Sequence, residues 1–250
     1  MGRFDNLVAL VTGSTEGIGF AIARKLAQDG AHVVVSSRKQ TNVDRAVKSL
    51  KYENLSVTGM VCHVAKKEDR KALLDRIVQK LRRLDILVLN AAVNPYFGSV
   101  LQTPEPAYDK IMDINVKATF MLIQESVPLI MKQGKGSVVI VSSFGGYNPN
   151  EALGIYSMSK TALLGLTKAL VNELAESNIR VNCIAPGIIR TKFSKALLQA
   201  GDEAVAERVG VKRIGEPADC AGIVSFLCSD EASYINGETV VVAGGANSRL

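Results

Sequence analysis

Tryptophan is absent from this 250-residue chain, histidine occurs twice, and aromatic residues make up only 5% of it. Without aromatic residues interleaved among its cations, the chain offers no stacking platform for nucleic-acid bases. Its formal net charge of +6 comes from dispersed lysines and arginines. That pattern reads as solubility with a mild attraction for anionic ligands. Four cysteines, Cys62, Cys183, Cys220 and Cys228, show no CxxC spacing. With so few histidines they suggest neither a metal site nor a disulfide framework, and buried free thiols in a reducing compartment are expected. No apolar run approaches the roughly 18 residues a spanning helix needs, so no membrane span is expected. Residues 1–6 carry Arg3 and Asp5 and lead straight into an apolar run, unlike a signal or transit peptide. The seven prolines and 21 glycines are scattered, and no linker, repeat or low-complexity segment divides the chain.

What is present is apolar and periodic. The chain is 47% apolar, enough to fill one α/β core. Short apolar runs predict strands at 7–12, 31–36, 58–63, 86–90, 138–142, 181–185 and 238–242. Helical spacing predicts helices at 17–29, 71–84, 106–130 (interrupted late by Pro128), 156–177 and 218–228. Strands alternating with helices predict a Rossmann-type, doubly wound parallel sheet with helices on both faces. Residues 1–250 are expected to form one domain.

The first strand-to-helix turn reads Thr12-Gly13-Ser14-Thr15-Glu16-Gly17-Ile18-Gly19, a GxxxGxG arrangement. Gly13 permits a tight turn, Gly17 a close approach of backbone to a pyrophosphate, and Gly19 close helix packing. The helix N-terminus offers free N–H groups and a positive dipole end. Alone, such a turn can bind nothing; its placement after the first strand favours a dinucleotide. The second strand ends in Ser36-Ser37-Arg38-Lys39. A carboxylate there would accept from the ribose of NAD, and none is present. Arg38 can make paired bonds to phosphate oxygens while Ser37 donates another, so NADP(H) is the expected cofactor. The competing reading makes Arg38 and Lys39 solvated loop charges.

Tyr156 and Lys160 stand four apart and Ser143 lies upstream. Residues four apart share a helix face. A lysine charge beside a phenol lowers its pKa from about 10. Such a tyrosine can donate a proton to a carbonyl or accept one from an alcohol, and the serine can hold the same oxygen. On the bare motif, a helix-face tyrosine beside a solvated lysine is the better explanation of the spacing.

Jointly, residues 12–19, Asn90-Ala91-Ala92, Asn115, Ser143, Tyr156, Lys160 and Pro186-Gly187 make the chain resemble a short-chain dehydrogenase/reductase over nearly its whole length. The resemblance implies a seven-stranded sheet, a homotetramer built on the helices at 106–130 and 156–177, and a catalytic tetrad of Asn115, Ser143, Tyr156 and Lys160. It implies that Asn115 holds a relay water and that Lys160 also binds the nicotinamide ribose. Pro186, Gly187, Ile189 and Thr191 would contact the nicotinamide half, and hydride would leave its pro-S side. Residues 61–64 (Val-Cys-His-Val), 90–95 (Asn-Ala-Ala-Val-Asn-Pro) and 215–250 are similar to a peroxisomal subgroup of NADPH-dependent carbonyl and retinal reductases. Cofactor contact at His63 and Val64 is implied by position, although His63 replaces the family's usual aspartate. Glu16 stands where some NADP-dependent members carry a base.

The substrate side carries Tyr96, Phe97, Phe144, Tyr147, Leu153 and Phe193, with Leu197 and Leu198 beyond. Together with Ser143 they suit an aromatic or aliphatic ketone or aldehyde. Residues 191–213 are expected to close over substrate, with Gly201 and Gly210 permitting motion. The chain ends Ser248-Arg249-Leu250, a variant of the peroxisomal address, so an import receptor is an expected partner and residues 246–250 an exposed tail. The expected function is reversible NADPH-dependent carbonyl reduction, in peroxisomes or also in cytoplasm. One alternative is reduction of 3-oxoacyl or other fatty-acyl-CoA thioesters, with Lys192, Lys195 and Arg213 as a basic landing site. Another is a nucleotide-sensing protein without catalysis.

Overall fold

A computed structural model describes residues 2–149, 151–194, 206, 207 and 209–246. Among these residues, seven strands form one sheet in the order β3-β2-β1-β4-β5-β6-β7, every neighbouring pair parallel. They are β1 Val8–Thr12, β2 His32–Ser37, β3 Val57–Val61, β4 Ile86–Leu89, β5 Gly136–Val141, β6 Ile179–Pro186 and β7 Thr239–Val242. All seven lie where the apolar runs placed them, within one or two residues.

Strand residues alternate between two cores. Ala9, Val11, Val33, Val35, Val139 and Val141 face one side of the sheet. There they meet α1 (Gly17–Gln28), α2 (Gln40–Tyr52) and, after β6, the helix Pro217–Cys228. Val8, Leu10, Val34, Val138 and Ile140 face the other side, against α3 (Lys67–Leu81), α5 (Ala118–Met131) and α6 (Gly154–Ala169). Burial on both faces explains why the central strands read as unbroken apolar runs rather than alternating ones. The four thiols are buried and free. Burial pushes Cys62, Cys220 and Cys228 up to about 12 and Cys183 up to about 11, so they act as packing groups.

Four helical features differ from expectation, the first being α3, expected at 71–84 and found at Lys67–Leu81. Helix α2 was not foreseen, although Val43, Ala46 and Leu50 mark its buried face. The expected helix at 106–130 is two helices, α4 (Glu105–Met112) and α5, joined by one π-helical turn at Asp113–Lys117. Pro128 lies inside α5 and does not end it. The expected helix at 156–177 starts two residues earlier, and the chain continues from α6 into the short α7 (Val171–Ala175). With those two numbered, Pro217–Cys228 is α8. Much of the expected closing segment at 191–213, with Lys195, Leu197, Leu198 and Gly201, lies outside the described residues, as does Ser248-Arg249-Leu250.

Candidate active site

Strand order reverses at β1, whose neighbours are β2 and β4. In an open parallel sheet the crevice at that reversal, beyond the carboxyl ends of the strands, is where ligands bind. A cavity of about 1070 Å³ opens there. Its floor is the glycine turn, where Gly13 and Gly17 take left-handed φ values of 60° and 57°. A Cβ at Gly19 would collide with the Asn90 amide and the Gly13 carbonyl. Only glycine fits there, because Asn90 packs into the turn to hold it. Its Nδ2 donates to Thr12 O at 3.0 Å and Gly13 O at 3.1 Å. Thr12 Oγ1 in turn accepts from the N–H groups of Asn90 and Ala91.

The cavity wall includes Gly13, Thr15, Gly17, Ile18, Gly19, Ser37, Arg38, Lys39, His63, Val64, Asn90, Ala91, Ala92, Pro186, Gly187, Ile189 and Thr191. The structure therefore gathers every expected cofactor residue but one. Ser14 is fully buried and faces away: its Oγ donates to Val11 O at 2.6 Å and accepts from Ser36 N at 2.9 Å. It fastens the glycine turn to the end of β2 and lies off the cavity wall.

The wall at His63 and Val64 is held from behind. Asp69 accepts from His63 N at 2.8 Å, and Arg70 donates to Val64 O at 2.8 Å. Arg70 is buried and makes two 2.9 Å bonds to Glu125 on α5. The His63 ring nitrogen Nδ1 is buried with no protein partner. The bare glycine turn, the cations past β2 and this polar ring atom together fit a dinucleotide.

At the other end, Ser143, Tyr156 and Lys160 converge on the same cavity. The Ser143 hydroxyl lies near enough to the Tyr156 phenol to pull its pKa down. Lys160 is 3% exposed, and its Nζ donates to Val141 O at 2.9 Å and lies 5.6 Å from the Tyr156 ring centroid. Tyr156 keeps one side open to the cavity, yet burial pushes its phenol up to about 12, against a smaller downward pull from Ser143. Here the expectation that Lys160 would lower the phenol is corrected. The ammonium donates to Val141 O, and loss of solvent sets the direction of the phenol's shift. Burial also brings Lys160 itself down to about 8, with Cys183 opposing.

Asn115 lies behind the cavity wall. It is absent from the cavity wall and 1% exposed. Its Oδ1 accepts from Val93 N at 2.9 Å, and its Nδ2 donates to Val93 O at 3.1 Å and Ser159 Oγ at 3.0 Å. Ser159 Oγ then donates to Tyr156 O at 2.6 Å. Asn115 thus ties the π turn, the loop after β4 and α6 together. Its backbone carbonyl accepts from Thr119 Oγ1 at 2.9 Å.

Of the expected substrate residues, Phe97, Phe144, Leu153 and Phe193 line the cavity, and the Phe193 ring lies 5.6 Å from that of Tyr156. Tyr96 and Tyr147 do not line it. Tyr96 turns back to Ser99 O, at 3.4 Å. Residues not foreseen on the wall include Asn42 and Arg45 from α2, Val93, Asn148 and Ile188. Arg45 was missed because α2 was missed; the spacing of Val43, Ala46 and Leu50 was the available signal.

A glycine-floored cavity at the sheet's reversal, with a serine, a tyrosine and a buried lysine at its far end, defines a nicotinamide-dependent oxidoreductase. The chain belongs to the short-chain dehydrogenase/reductase family. A family model described as enoyl-(acyl carrier protein) reductase matches residues 13–247. Dehydrogenase/reductase SDR family member 4 of Bos taurus is 63% identical over 248 residues, covering 98% of this chain and 89% of the bovine one. The Homo sapiens form is 60% identical over 247 residues, covering 98% and 89%. Among solved structures, a protein assigned as an NAD(P)-dependent gluconate 5-dehydrogenase from Beutenbergia cavernae, with NADP bound at low occupancy, superposes with a TM-score of 0.90 at 30% identity, covering 97% of this chain and 98% of that one. A short-chain type dehydrogenase/reductase from Mycobacterium marinum gives 0.92 at 29% identity, covering 98% and 97%.

The buried lysine has a measurable signature. Its folded pKa of about 8 lies below the ordinary 10.5. Stability from this group is therefore present above 10.5 and is lost as pH falls through about 8. In Lys160→Met that dependence disappears. From pH 8 to 10.5, wild type should gain on the variant by up to about 3 kcal/mol in urea unfolding. A constant difference across that window would show that the ammonium is solvated in the folded state.

Proposed function

We propose that the chain is an NADPH-dependent carbonyl reductase, reducing ketones and aldehydes of aromatic or aliphatic type, retinal among them, and running in reverse on alcohols. One observation carries this reading. A neutral, proton-bearing Tyr156 paired with Ser143 faces an apolar wall at one end of a cavity whose other end presents Arg38, Lys39 and Arg45.

Arg38, Lys39 and Arg45, with Ser37, would hold a 2′-phosphate, and the glycine turn the pyrophosphate. His63 and Val64 would border the adenine; Asn90, Pro186, Gly187, Ile189 and Thr191 the nicotinamide half. When bound, the nicotinamide supplies the hydride. The chain's own residues supply the proton and the geometry. Tyr156 carries its proton at neutral pH, as a phenol does, and burial raises its pKa further, so it is a donor to a carbonyl oxygen. Ser143 holds that oxygen beside the phenol. Lys160, with a pKa near 8, can return a proton to Tyr156 and reach the ribose hydroxyls. Asn115 acts through its bonds to Val93 and Ser159, and in the family likeness it would also hold a relay water.

Of the cations that could receive a coenzyme A thioester, Lys195 lies outside the described residues and Lys192 and Arg213 are engaged elsewhere. Lys192 pairs with Glu16 at 2.9 Å, and Arg213 makes two bonds to Asp219 at 2.6 and 2.9 Å. That favours a free carbonyl compound over an acyl thioester. A nucleotide sensor would need neither the Tyr156–Ser143 pair nor a buried lysine.

Oxidation of NADPH with retinal, phenyl diketones, steroid ketones and acyl-CoA esters tests the reading. Tyr156→Phe should lose more than a tenfold of kcat, about 1.4 kcal/mol or more, while calorimetry finds NADPH affinity nearly unchanged. A variant retaining a tenth or more of wild-type kcat would sink the acid–base role, and preferential turnover of acyl-CoA would sink the substrate class.

Two further elements of the proposal concern location and assembly. Ser248-Arg249-Leu250 would direct the chain to peroxisomes through an import receptor. Deleting it should leave turnover intact and shift the protein to the cytosol; cytosolic residence of the intact chain in import-competent cells would refute this. The chain would assemble as a homotetramer through the faces of α4, α5 and α6, where Tyr108, Phe120 and Met158 are about 40% exposed around a groove containing Val116, Ala162 and Leu166. Sedimentation velocity should find a tetramer, and a monomer at micromolar concentration would rule it out.

A further inference from the structure

We propose that Lys192 sets the preference for a phosphorylated dinucleotide by cancelling the charge of Glu16, a carboxylate beside the phosphate subsite. This rests on the NADP(H) reading above and extends it to a pair of residues outside the phosphate-binding motif.

Ser14 and Ser36 fasten the glycine turn to the end of β2. Ser14 N donates to Ser36 O at 3.0 Å, and Ser36 N donates to Ser14 Oγ at 2.9 Å. Two residues beyond these fastening points stand Glu16 and Arg38, and both line the cavity. A carboxylate is thereby held on the stretch of wall where Ser37, Arg38 and Lys39 would meet a 2′-phosphate. Glu16 precedes α1 in extended conformation, and its side chain makes no capping bond to the helix. Its carboxylate accepts instead from Lys192 Nζ, at 2.9 Å.

Lys192 reaches Glu16 from the turn after β6, and it too lines the cavity. That turn is braced internally. Ser194 Oγ donates to Ile189 O at 2.5 Å, and Thr191 N donates to Ser194 Oγ at 3.1 Å. Arg190 N donates to Gly215 O at 2.7 Å. Thr191 closes over the glycine turn: a Cβ at Gly17 would lie 3.1 Å from its methyl. The lysine is thus delivered to one carboxylate by a defined backbone.

The chemistry follows from charge. An uncompensated Glu16 repels an anion on the neighbouring wall, and a 2′-phosphate carries close to two negative charges where NADH carries a hydroxyl. The penalty therefore falls on NADPH. With Lys192 on the carboxylate the pair is neutral, and Arg38, Lys39 and Arg45 act on the phosphate unopposed. Both partners are exposed, at 76% for Lys192 and 51% for Glu16, so solvent and salt screen the effect.

The test is a double-mutant cycle read by calorimetric Kd, with NADPH and with NADH, on wild type, Lys192→Met, Glu16→Gln and the double variant at low salt. Lys192→Met should weaken NADPH by about fivefold, the upper range for an exposed pair, and NADH by less than about twofold. Glu16→Gln alone should not weaken NADPH, and the double variant should return to near wild-type affinity. Added salt should shrink the difference. Equal weakening for both cofactors, or a double variant as weak as Lys192→Met, would overturn the proposal. A wild type that prefers NADPH while the cycle is flat overturns the Glu16–Lys192 assignment alone. A wild type that binds NADH more tightly overturns the cofactor reading beneath it.

Discussion

A parallel sheet covered by helices on both faces can meet a ligand only beyond the ends of its strands, and this chain's chemistry is arranged around that constraint. Reversal of strand order at β1 splays the following loops apart and opens the cavity there. Thr12 and Asn90 then join the ends of β1 and β4, and Ser14 and Ser36 join β1 to β2. None of these four residues needs to touch a ligand for its bonds to matter. They fix the left-handed glycine turn whose bare backbone forms the cavity floor.

The catalytic end works against stability. A lysine in the core and a phenol with little solvent both prefer their neutral forms, which is the direction each takes. For Tyr156 that preference suits proton donation. For Lys160 it brings proton release near neutral pH, at the expense of burying a cation whose protein hydrogen bond is to Val141 O. The surroundings hold this arrangement in register. Asn115 pairs with both backbone groups of Val93, as a neighbouring strand would, and its third bond reaches Ser159 on the catalytic helix. The π turn at Asp113–Lys117 carries Asn115, and π turns recur at functional positions because the extra residue per turn re-aims a side chain.

The strands were legible because double burial writes them as Val, Ile, Leu and Ala runs, and the glycine turn because its spacing is dictated by backbone conformation. Ser143, Tyr156 and Lys160 were legible as a set, and they share one cavity. The π turn was not, since one additional residue in a helix leaves the 3.6-residue pattern too little disturbed to detect. Asn115 was expected, from the family resemblance, as the holder of a relay water, and its side chain is spent on Val93 and Ser159. Helix α2 escaped notice because its apolar stripe, Val43, Ala46 and Leu50, is sparse in a polar segment, and Arg45 was lost with it. Tyr96 and Tyr147 were misplaced because aromatic character in a loop says nothing about which way the ring turns. The sign of the Tyr156 shift was misjudged for a related reason. Sequence gives the distance along the helix to Lys160, but the ammonium's direction is set by a carbonyl on β5.

The cavity is electrostatically graded along its length, and the gradient follows from topology. Cations gather past β2 because α2 and the loop before it contribute Arg38, Lys39 and Arg45. The opposite end is walled by Phe97, Phe144, Leu153 and Phe193, and its polar groups are few. A long ligand with charge at one end and a flat, weakly charged ring at the other can enter such a field in one orientation only, because reversing it would desolvate phosphates against aromatic rings. Orientation is therefore decided by the ends of the cavity before any contact near Tyr156 forms. The same gradient acts on whatever occupies the aromatic end. A small uncharged carbonyl compound loses little by leaving water there, whereas an anionic one would meet the buried Lys160, since the other described wall cations lie at the far end or pair with Glu16 or Glu216.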